Sequence, residues 1–189
     1  MRSSTSRDTG KKIVRNGNWS GVILAAATVI SLLLPQASFA AWSTSADENI
    51  AVTSAPGFQG RPQVIYDGDG GYFATWRDGG TPGVFAQHYD VLGDAMWGDA
   101  GAQVCSDNNS QVEGVSDGAG GVIITWTQGS DTYAQHLDAD GAPLWEVDGI
   151  PIFIGDNDTW IAPDGQGGAI VMGYYGRVNR VDYNGNLLW

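Results

Sequence analysis

From residue 51 onward, the apolar residues of this chain lie in short runs that glycine-rich polar groups separate. Between 111 and 153 these runs are QVEGVS, VIITWTQ, TYAQHL, APLWEV and IPIF, and most are rich in β-branched and aromatic residues. No stretch after residue 40 carries apolar residues at the sustained period of a helix. The pattern therefore predicts a nearly all-β fold of short antiparallel strands joined by tight turns.

The same succession of runs and turns occurs three times in the chain. Three anchors recur in a fixed order: a DGxGG group, an AQHxD-like group, and a tryptophan seven residues after the last Asp of that group. The DGxGG groups begin at Asp67, Asp117 and Asp164, the second anchors cover 86–90, 134–138 and 178–182, and the tryptophans are Trp97, Trp145 and Trp189.

Each copy has the size of one β-propeller blade, since such a blade is a four-stranded antiparallel sheet. The fourth strand of the middle copy is expected to be broken or bulged at Asp148 and Gly149. The runs VIIT and AIVM are apolar at consecutive positions, which predicts strands covered on both faces. We therefore predict about three four-stranded propeller-like blades in 41–189, with an open solenoid-like stack as the alternative. The approximate repeats are 42–96, 97–144 and 145–189.

The tandem units DGxGGxxxxW, YAQxxD, xxGxxLW and GxxVC resemble those of large secreted or surface proteins of bacteria, whose repeats are regarded as propeller-like. The resemblance extends over 42–189. It implies a β-propeller-like repeat fold and no particular reaction or ligand. The third copy departs most from the pattern, because Gly173 stands where the first two copies have Trp76 and Trp126.

Three blades are fewer than the four to eight of a typical closed propeller. The chain is then either a truncated piece of a longer protein, which the end at Trp189 favours, or it self-associates, two chains giving a six-bladed ring. The segment from Trp42 to Val52 has the phase of a final strand, which would complete the last blade of a longer chain. A last blade left open exposes a sheet edge and an apolar face, and both favour association.

The first forty residues have the three parts of a secretory signal peptide. Basic residues occur between Arg2 and Arg15, an apolar run extends from Gly21 to Leu34, and small residues stand at Ser38 and Ala40. The apolar run is short for a membrane span, which needs about twenty residues. We therefore predict a signal peptide over 1–40 and a secreted protein with no membrane attachment after cleavage, a retained N-terminal anchor being the alternative.

Removal of 1–40 leaves a strongly acidic chain. Beyond that point the sequence has no lysine and four arginines against twenty Asp and Glu residues, a formal net charge of −16. Such a surface repels nucleic acid, so the expected partner is a protein, a glycan or a second copy of the chain. Cys105 is the only cysteine, and its alignment with Phe153 and Ile50 predicts a buried strand residue rather than a nucleophile.

The two histidines, His88 and His136, occupy the same position in their repeats. Neighbouring blades could present them together to a metal ion, but Arg180 fills that position in the third copy. We therefore expect strand residues there and assign no metal ligands. The D-x-D-G groups, such as the one beginning at Asp67, resemble part of a calcium loop, yet they lack its twelve-residue spacing and closing Glu. Turn formation explains them better, with calcium binding left open and no other cofactor expected.

Trp76 and Trp126 admit two interpretations that differ in exposure. A buried tryptophan in each repeat would be a wedge between blades, because its ring covers a large area. An exposed one would be a platform for stacking on a sugar, and Arg77 would then join Trp76 and Trp126 as the binding residues of a lectin-like protein. The sequence favours packing.

No Ser, His and Asp arrangement with the spacing of a known catalytic motif occurs in the sequence. The predicted function is therefore that of a secreted, non-catalytic repeat protein, a propeller-like binding or surface scaffold module. A carbohydrate-binding, lectin-like propeller is the first alternative. A secreted hydrolase on a propeller scaffold is the second, and it would need a pair or trio of carboxylates at the centre of a ring.

Overall fold

The computed structural model describes Asp47, residues 51–107 and residues 110–189, all within the compact unit Ser38–Trp189. The predicted signal peptide lies outside these residues, as does most of the predicted closing strand at 42–52. The described part of the chain contains eleven strands and no helix. They are β1 Gln59–Tyr66, β2 Tyr72–Asp78, β3 Gly83–Tyr89, β4 Ala102–Cys105, β5 Ser110–Ser116, β6 Val122–Gln128, β7 Asp131–Leu137, β8 Ile150–Phe153, β9 Thr159–Pro163, β10 Ala169–Gly173 and β11 Val178–Val181.

The strands form three antiparallel sheets, each a simple meander in chain order. The first sheet is β1-β2-β3-β4, the second is β5-β6-β7-β8, and the third is β9-β10-β11. The all-β prediction is confirmed, but the prediction of four strands in every sheet is wrong for the third. Strands β4 and β8 both follow an anchor tryptophan, and Trp189, the corresponding tryptophan of the third copy, is the last residue.

The fourth strand of the middle copy is shorter than its apolar run. Only β8 is a strand, and the upstream part contributes a single bridge between Leu137 and Pro143. Asp148 and Gly149 have positive φ angles of 61° and 80° directly before β8. The predicted interruption therefore falls at these two residues. Strand β4 pairs with β3 and strand β8 pairs with β7, so each completes the sheet of the strands before it.

The second sheet is buried on both faces. Ile123 packs in one cluster with residues of the third sheet, including Val171, while Ile124 and Trp126 pack in another with residues of the first, including Phe73. Cys105 is buried in the latter cluster, as its alignment predicted. Because neighbouring residues of β6 serve opposite faces, the consecutive apolar run VIIT corresponds to a strand between two sheets.

The first strands of the sheets lie side by side, β1 against β5 and β5 against β9. Both β1 and β5 contain a register irregularity, at which Arg61 and Gln111 have positive φ angles of 55° and 28°. These bulges bend the strands where the sheets meet. Within the described residues, no helix has the length and apolar character needed to cross a bilayer.

Candidate functional site

The aspartate of each DGxGG group shapes the turn between the first and second strands of its sheet. One carboxylate oxygen, Oδ1, accepts hydrogen bonds from the backbone N–H groups two and four residues later. The distances are 2.8 and 2.9 Å at Asp67, 2.7 and 2.9 Å at Asp117, and 2.7 and 2.8 Å at Asp164. The aspartates of the repeated DG groups therefore stabilise the turns, and one oxygen of each carboxylate is fully used in these hydrogen bonds.

The second oxygen of each turn aspartate pairs with a basic side chain on the third strand. His88 Nε2 lies 3.0 Å from Asp67 Oδ2, and His136 Nε2 lies 2.8 Å from Asp117 Oδ2. In the third sheet, Arg180 Nη2 lies 2.8 Å from Asp164 Oδ2. We call these three contacts the turn pairs. They explain why arginine can replace histidine in the third copy, since both supply an N–H donor to the carboxylate.

The sequence contained a signal for the turn pairs that motif matching missed. In every copy, an Asp that opens the DGxGG group is accompanied by a basic residue on the third strand. The aligned histidines do not come together at a metal site, because each one faces the turn of its own sheet. Within the described ranges, no group of three or more His, Cys, Asp or Glu side chains could hold a metal ion.

The middle turn pair is sealed from solvent. The side chains of His136 and Asp117 are 0 % and 3 % exposed, and the rings of Trp145 and Tyr183 each pack edge-to-face with the imidazole ring. His136 Nδ1 is also 3.2 Å from the carbonyl oxygen of Tyr183, in the third sheet. Both ring nitrogens are therefore engaged, and this histidine is unsuited to proton transfer with a ligand.

The first turn pair is more open. The His88 side chain is 15 % exposed and borders a cleft of about 230 Å³, which Asp69, Asp90 and Met96 also line. An Asp–His pair could orient a general base, but a nucleophilic triad also needs a hydroxyl or thiol beside the imidazole. Among the described residues that line this cleft there is no Ser, Thr or Cys, and Asp90 Oδ1 already accepts two turn N–H groups.

Two of the turn carboxylates have perturbed titration. Burial would raise the pKa of Asp67, but hydrogen bonds from His88 and from the backbone of Asp69 outweigh it and hold the pKa below its usual value. Burial would also raise the pKa of Asp164. Hydrogen bonds from the Gln166 backbone and from Arg180 outweigh burial, so the pKa of Asp164 is lowered as well. Both carboxylates are thus stabilised in their ionised form.

These shifts predict an acid-labile fold. A carboxylate with a lowered folded-state pKa stabilises the fold fully above the ordinary value of 3.8, and this contribution is lost as the pH falls through the folded-state value. Urea unfolding at pH 7 and pH 3 should show that Asp164→Asn loses less stability between the two values than the unsubstituted protein does. The exposed Asp140→Asn is the control, and an unchanged pH dependence in Asp164→Asn would contradict this role.

The anchor tryptophans link successive sheets. Trp97 Nε1 donates to the carbonyl oxygen of Ala139 in the second sheet, and Trp145 Nε1 donates to that of Tyr183 in the third, both at 2.9 Å. Each ring lies over a turn glycine with positive φ, Gly141 for Trp97 and Gly185 for Trp145, where a Cβ would contact the ring. The recurrent spacing identified these tryptophans as anchors, but their inter-sheet hydrogen bonds require the tertiary structure.

The glutamine of AQHxD fixes the anchor tryptophan from its own sheet. Gln87 Oε1 accepts the backbone N–H of Trp97 at 2.9 Å, and Gln135 Oε1 accepts that of Trp145 at 3.1 Å. In the third copy the shorter Asn179 instead donates to the carbonyl oxygen of Ile152, at 2.8 Å. Two residues of the AQHxD group are therefore structural. The His binds the turn aspartate, and the Gln accepts the backbone N–H of the anchor tryptophan.

The candidate binding residues of the lectin-like alternative do not form one surface. Trp126 is completely buried and Trp76 is 4 % exposed, with Nε1 of each lacking a hydrogen-bond partner in the described part of the chain. Their rings stack on Tyr133 and Phe85 of the neighbouring strand. Arg77, next in sequence to Trp76, is half-buried and does not line the cleft beside it. This burial supports the packing interpretation.

The cleft beside Trp76 is larger than the one beside His88, at about 330 Å³. Trp76 and Phe85 form its aromatic wall, and Asp99 and Gln103 contribute polar groups. A second lining carboxylate, that of Asp78, is occupied by the turn at 78–81, where its Oδ1 accepts N–H groups at 2.7 and 2.9 Å. The cleft thus combines an apolar wall with a few polar groups, as small-ligand sites do.

Searches of protein-family models, curated proteins and solved structures found no match to this chain.

Proposed function

We propose that this protein is a secreted, non-catalytic repeat module that acts as a propeller-like scaffold and presents its loops for binding. The observation that carries the proposal is that the side chains best suited to catalysis, the histidines and the turn aspartates, bind one another within the fold. Both histidines and all three DGxGG aspartates are bound into turn pairs, and the turn pair of His136 is sealed. Because the turn pairs recur in every sheet and stabilise its turn, they support a structural role for the repeats.

The propeller-like arrangement is the finer part of this proposal. Adjacent first strands and sheets that pack face to face are features of propeller blades, and β1, β5 and β9 have this adjacency. An open stack of sheets would have the same local contacts, so the angle between successive sheets distinguishes the two. A small-angle scattering profile that fits a straight stack better than a curved one would count against the propeller.

Export is proposed from the leader-like sequence at 1–40. Sequencing the N-terminus of protein recovered from outside the cytoplasm should give Ala41 as the first residue. Recovery of the protein with Met1 intact would overturn this part of the proposal.

Glycan binding is the second candidate, and the cleft beside Trp76 is the observation that favours it. Aromatic rings next to polar side chains are a common means of holding a sugar. The ring of Trp76 is covered, however, so a sugar would contact its edge or the ring of Phe85. The hydrolase alternative has less support, because the described residues that line the cleft beside His88 include no Ser, Thr or Cys, and Asp67 and Asp90 each give a carboxylate oxygen to a turn.

A glycan array probed with the purified protein, with and without calcium, tests the choice between scaffold and lectin. We expect no sugar to bind under either condition, because the platform rings are buried. Any positive sugar should be tested again with Gln103→Ala, which removes a polar group from the cleft wall, and with Gln166→Ala as a matched control elsewhere. Binding that Gln103→Ala abolishes and Gln166→Ala preserves would replace the scaffold proposal with the lectin.

A further inference from the structure

The first and second turn pairs differ in what the following sheet places over them. Tyr183 of the third sheet packs edge-to-face on His136, with the ring centroids 4.7 Å apart. Tyr183 comes directly after the second anchor of its copy, and the residue at this position in the second copy is Ala139. The following sheet therefore has a methyl group over the first turn pair at the position where it has an aromatic ring over the second.

The two contacts between sheets are otherwise built alike. Trp97 Nε1 donates to the carbonyl oxygen of Ala139, and Trp145 Nε1 donates to that of Tyr183, both at 2.9 Å. The backbone of the following turn is thus held at the same place over each sheet. What differs between the two contacts is the side chain that this turn carries.

The glycines of the following turns show that the cleft beside His88 lies where the ring would be. A Cβ at Gly167 would lie 3.3 Å from Cδ2 of Tyr183, so this ring extends from Gly167 to His136. Gly120 is the counterpart of Gly167, and Gly120 and His88 both line the cleft of about 230 Å³. The space that an aromatic ring fills between the second and third sheets is therefore open between the first and second.

The first sheet covers part of His88 from its own side. Phe73 stands where the second sheet has Ile123, and its ring stacks on the imidazole of His88 with the centroids 4.3 Å apart. The His88 side chain is nevertheless 15 % exposed, against 0 % for His136. In the described part of the chain, only Nε2 of His88 has a hydrogen-bond partner, whereas both ring nitrogens of His136 have one. One side of the His88 ring and its Nδ1 are thus left to the cleft.

The cleft beside His88 is acidic. Asp67, Asp69 and Asp90 line it, and its described lining residues include no Lys or Arg. Asp67 is engaged by its turn and by His88, and Asp90 by its own turn. The carboxylate of Asp69 accepts no hydrogen bond from the described residues and is free to meet a ligand. Carboxylates that no cation neutralises attract a positively charged group and repel an anionic one.

We propose that the cleft beside His88 binds an aromatic ring that carries a protonated amine. The ring occupies the position that Tyr183 has over the second turn pair and packs against the imidazole of His88. The ammonium group lies beside Asp69, and Val91 and Met96 supply apolar lining. The internal precedent specifies the ring, and the carboxylates specify the charge. This inference goes beyond the scaffold role, because it assigns a ligand class to one cleft of the module.

Tyramine has this chemistry and serves as the probe, with binding followed by NMR. The chain contains two histidines, so the imidazole signals of His88 and His136 report the open and the sealed turn pair separately. We expect tyramine to shift the His88 signal in a saturable manner and to leave the His136 signal in place. Ethylamine, which lacks the ring, and hydroxyphenylpropionate, which has a carboxylate instead of the amine, should both bind more weakly.

Ala139→Tyr tests the position of the ring. The substitution gives the second sheet the residue that covers His136 from the third, so we expect the new side chain to fill the cleft and abolish the tyramine shift at His88. Ala142→Tyr is the matched control, because Ala142 lies in the same turn, is exposed and does not line the cleft. Circular dichroism of both variants verifies that the fold is kept.

Asp69→Asn tests the charge. Loss of this carboxylate should weaken tyramine binding about threefold, as expected for a solvent-accessible ion pair, and Asp140→Asn should leave it unchanged. If Ala139→Tyr fails to fold, this comparison and the three probes still decide the question.

Three results would each overturn the proposal: no saturable shift at His88, equal shifts at both histidines, or a shift that a folded Ala139→Tyr retains. Stronger binding of hydroxyphenylpropionate than of tyramine would do so as well. The scaffold proposal rests on the turn pairs and the glycan array concerns the other cleft, so each of these proposals fails separately.

Discussion

Replacing Trp126 with alanine should reduce the free energy of unfolding by about 3 to 5 kcal/mol. The ring is completely buried in the cluster that joins the first and second sheets. It also lies against the backbone at Gly149, where even a Cβ would contact the ring. Removing the ring leaves a cavity, because strands held in hydrogen-bonded sheets cannot move far enough to fill it. The contacts of the ring with residues of both sheets are also lost.

Urea unfolding followed by circular dichroism measures this loss. Trp126→Phe is an informative intermediate. Nε1 of Trp126 has no hydrogen-bond partner in the described chain, so phenylalanine reduces the side-chain volume without breaking a hydrogen bond. We expect a smaller loss for it than for Trp126→Ala. Val147→Ala, at an exposed position, should change stability by no more than about 0.5 kcal/mol. Equal stability of Trp126→Ala and the unsubstituted protein would remove the wedge interpretation.

Replacing Asp117 with alanine should reduce the free energy of unfolding by about 2 to 4 kcal/mol. The substitution removes the carboxylate from the sealed turn pair and leaves His136 buried without its closest contact. It also removes the acceptor for the N–H groups of Ala119 and Gly121. The buried imidazole without an acceptor is the costly loss, and the turn loses two local hydrogen bonds as well.

The first copy supplies a matched comparison for this prediction. Asp67→Ala breaks the same contacts, but the side chain of His88 is partly exposed, so water can replace the lost acceptor. We therefore expect a smaller loss of unfolding free energy for Asp67→Ala than for Asp117→Ala, measured by the same urea titration. Equal losses would mean that burial of the pair does not determine its contribution.

The turn pairs also show why the site could be predicted only in part. The turn role of Asp117 followed from the DG group, because hydrogen bonds to the backbone two and four residues later are local. Its contact with His136 depends on the strand register, which brings residues nineteen positions apart to one end of the sheet. The periodicity of the sequence aligned His88 with His136, but it did not show which residue each one meets.

The tryptophans illustrate a second limit. Sequence spacing marked Trp76, Trp126 and the anchors Trp97 and Trp145 as repeated, without distinguishing their tasks. In the structure, Trp126 fills the space between two sheets, whereas Trp145 caps the turn of the next sheet with a hydrogen bond. The difference arises because Trp126 lies within β6, whereas Trp145 lies in the segment between β7 and β8, and only the packed arrangement decides which neighbour each ring meets.

The amino-acid sequence by itself determined the strands, the turns and the three-fold recurrence, because these depend on local chain preferences and on the alternation of side chains. Tertiary structure alone decided that the turn aspartates bind His88, His136 and Arg180, that Trp145 lies on the turn of the next sheet, and that Met172 is exposed where Thr125 is buried. These outcomes depend on which surfaces meet. Equivalent positions of the repeat have the same place in their sheets, but whether their side chains are buried depends on whether another sheet lies against them.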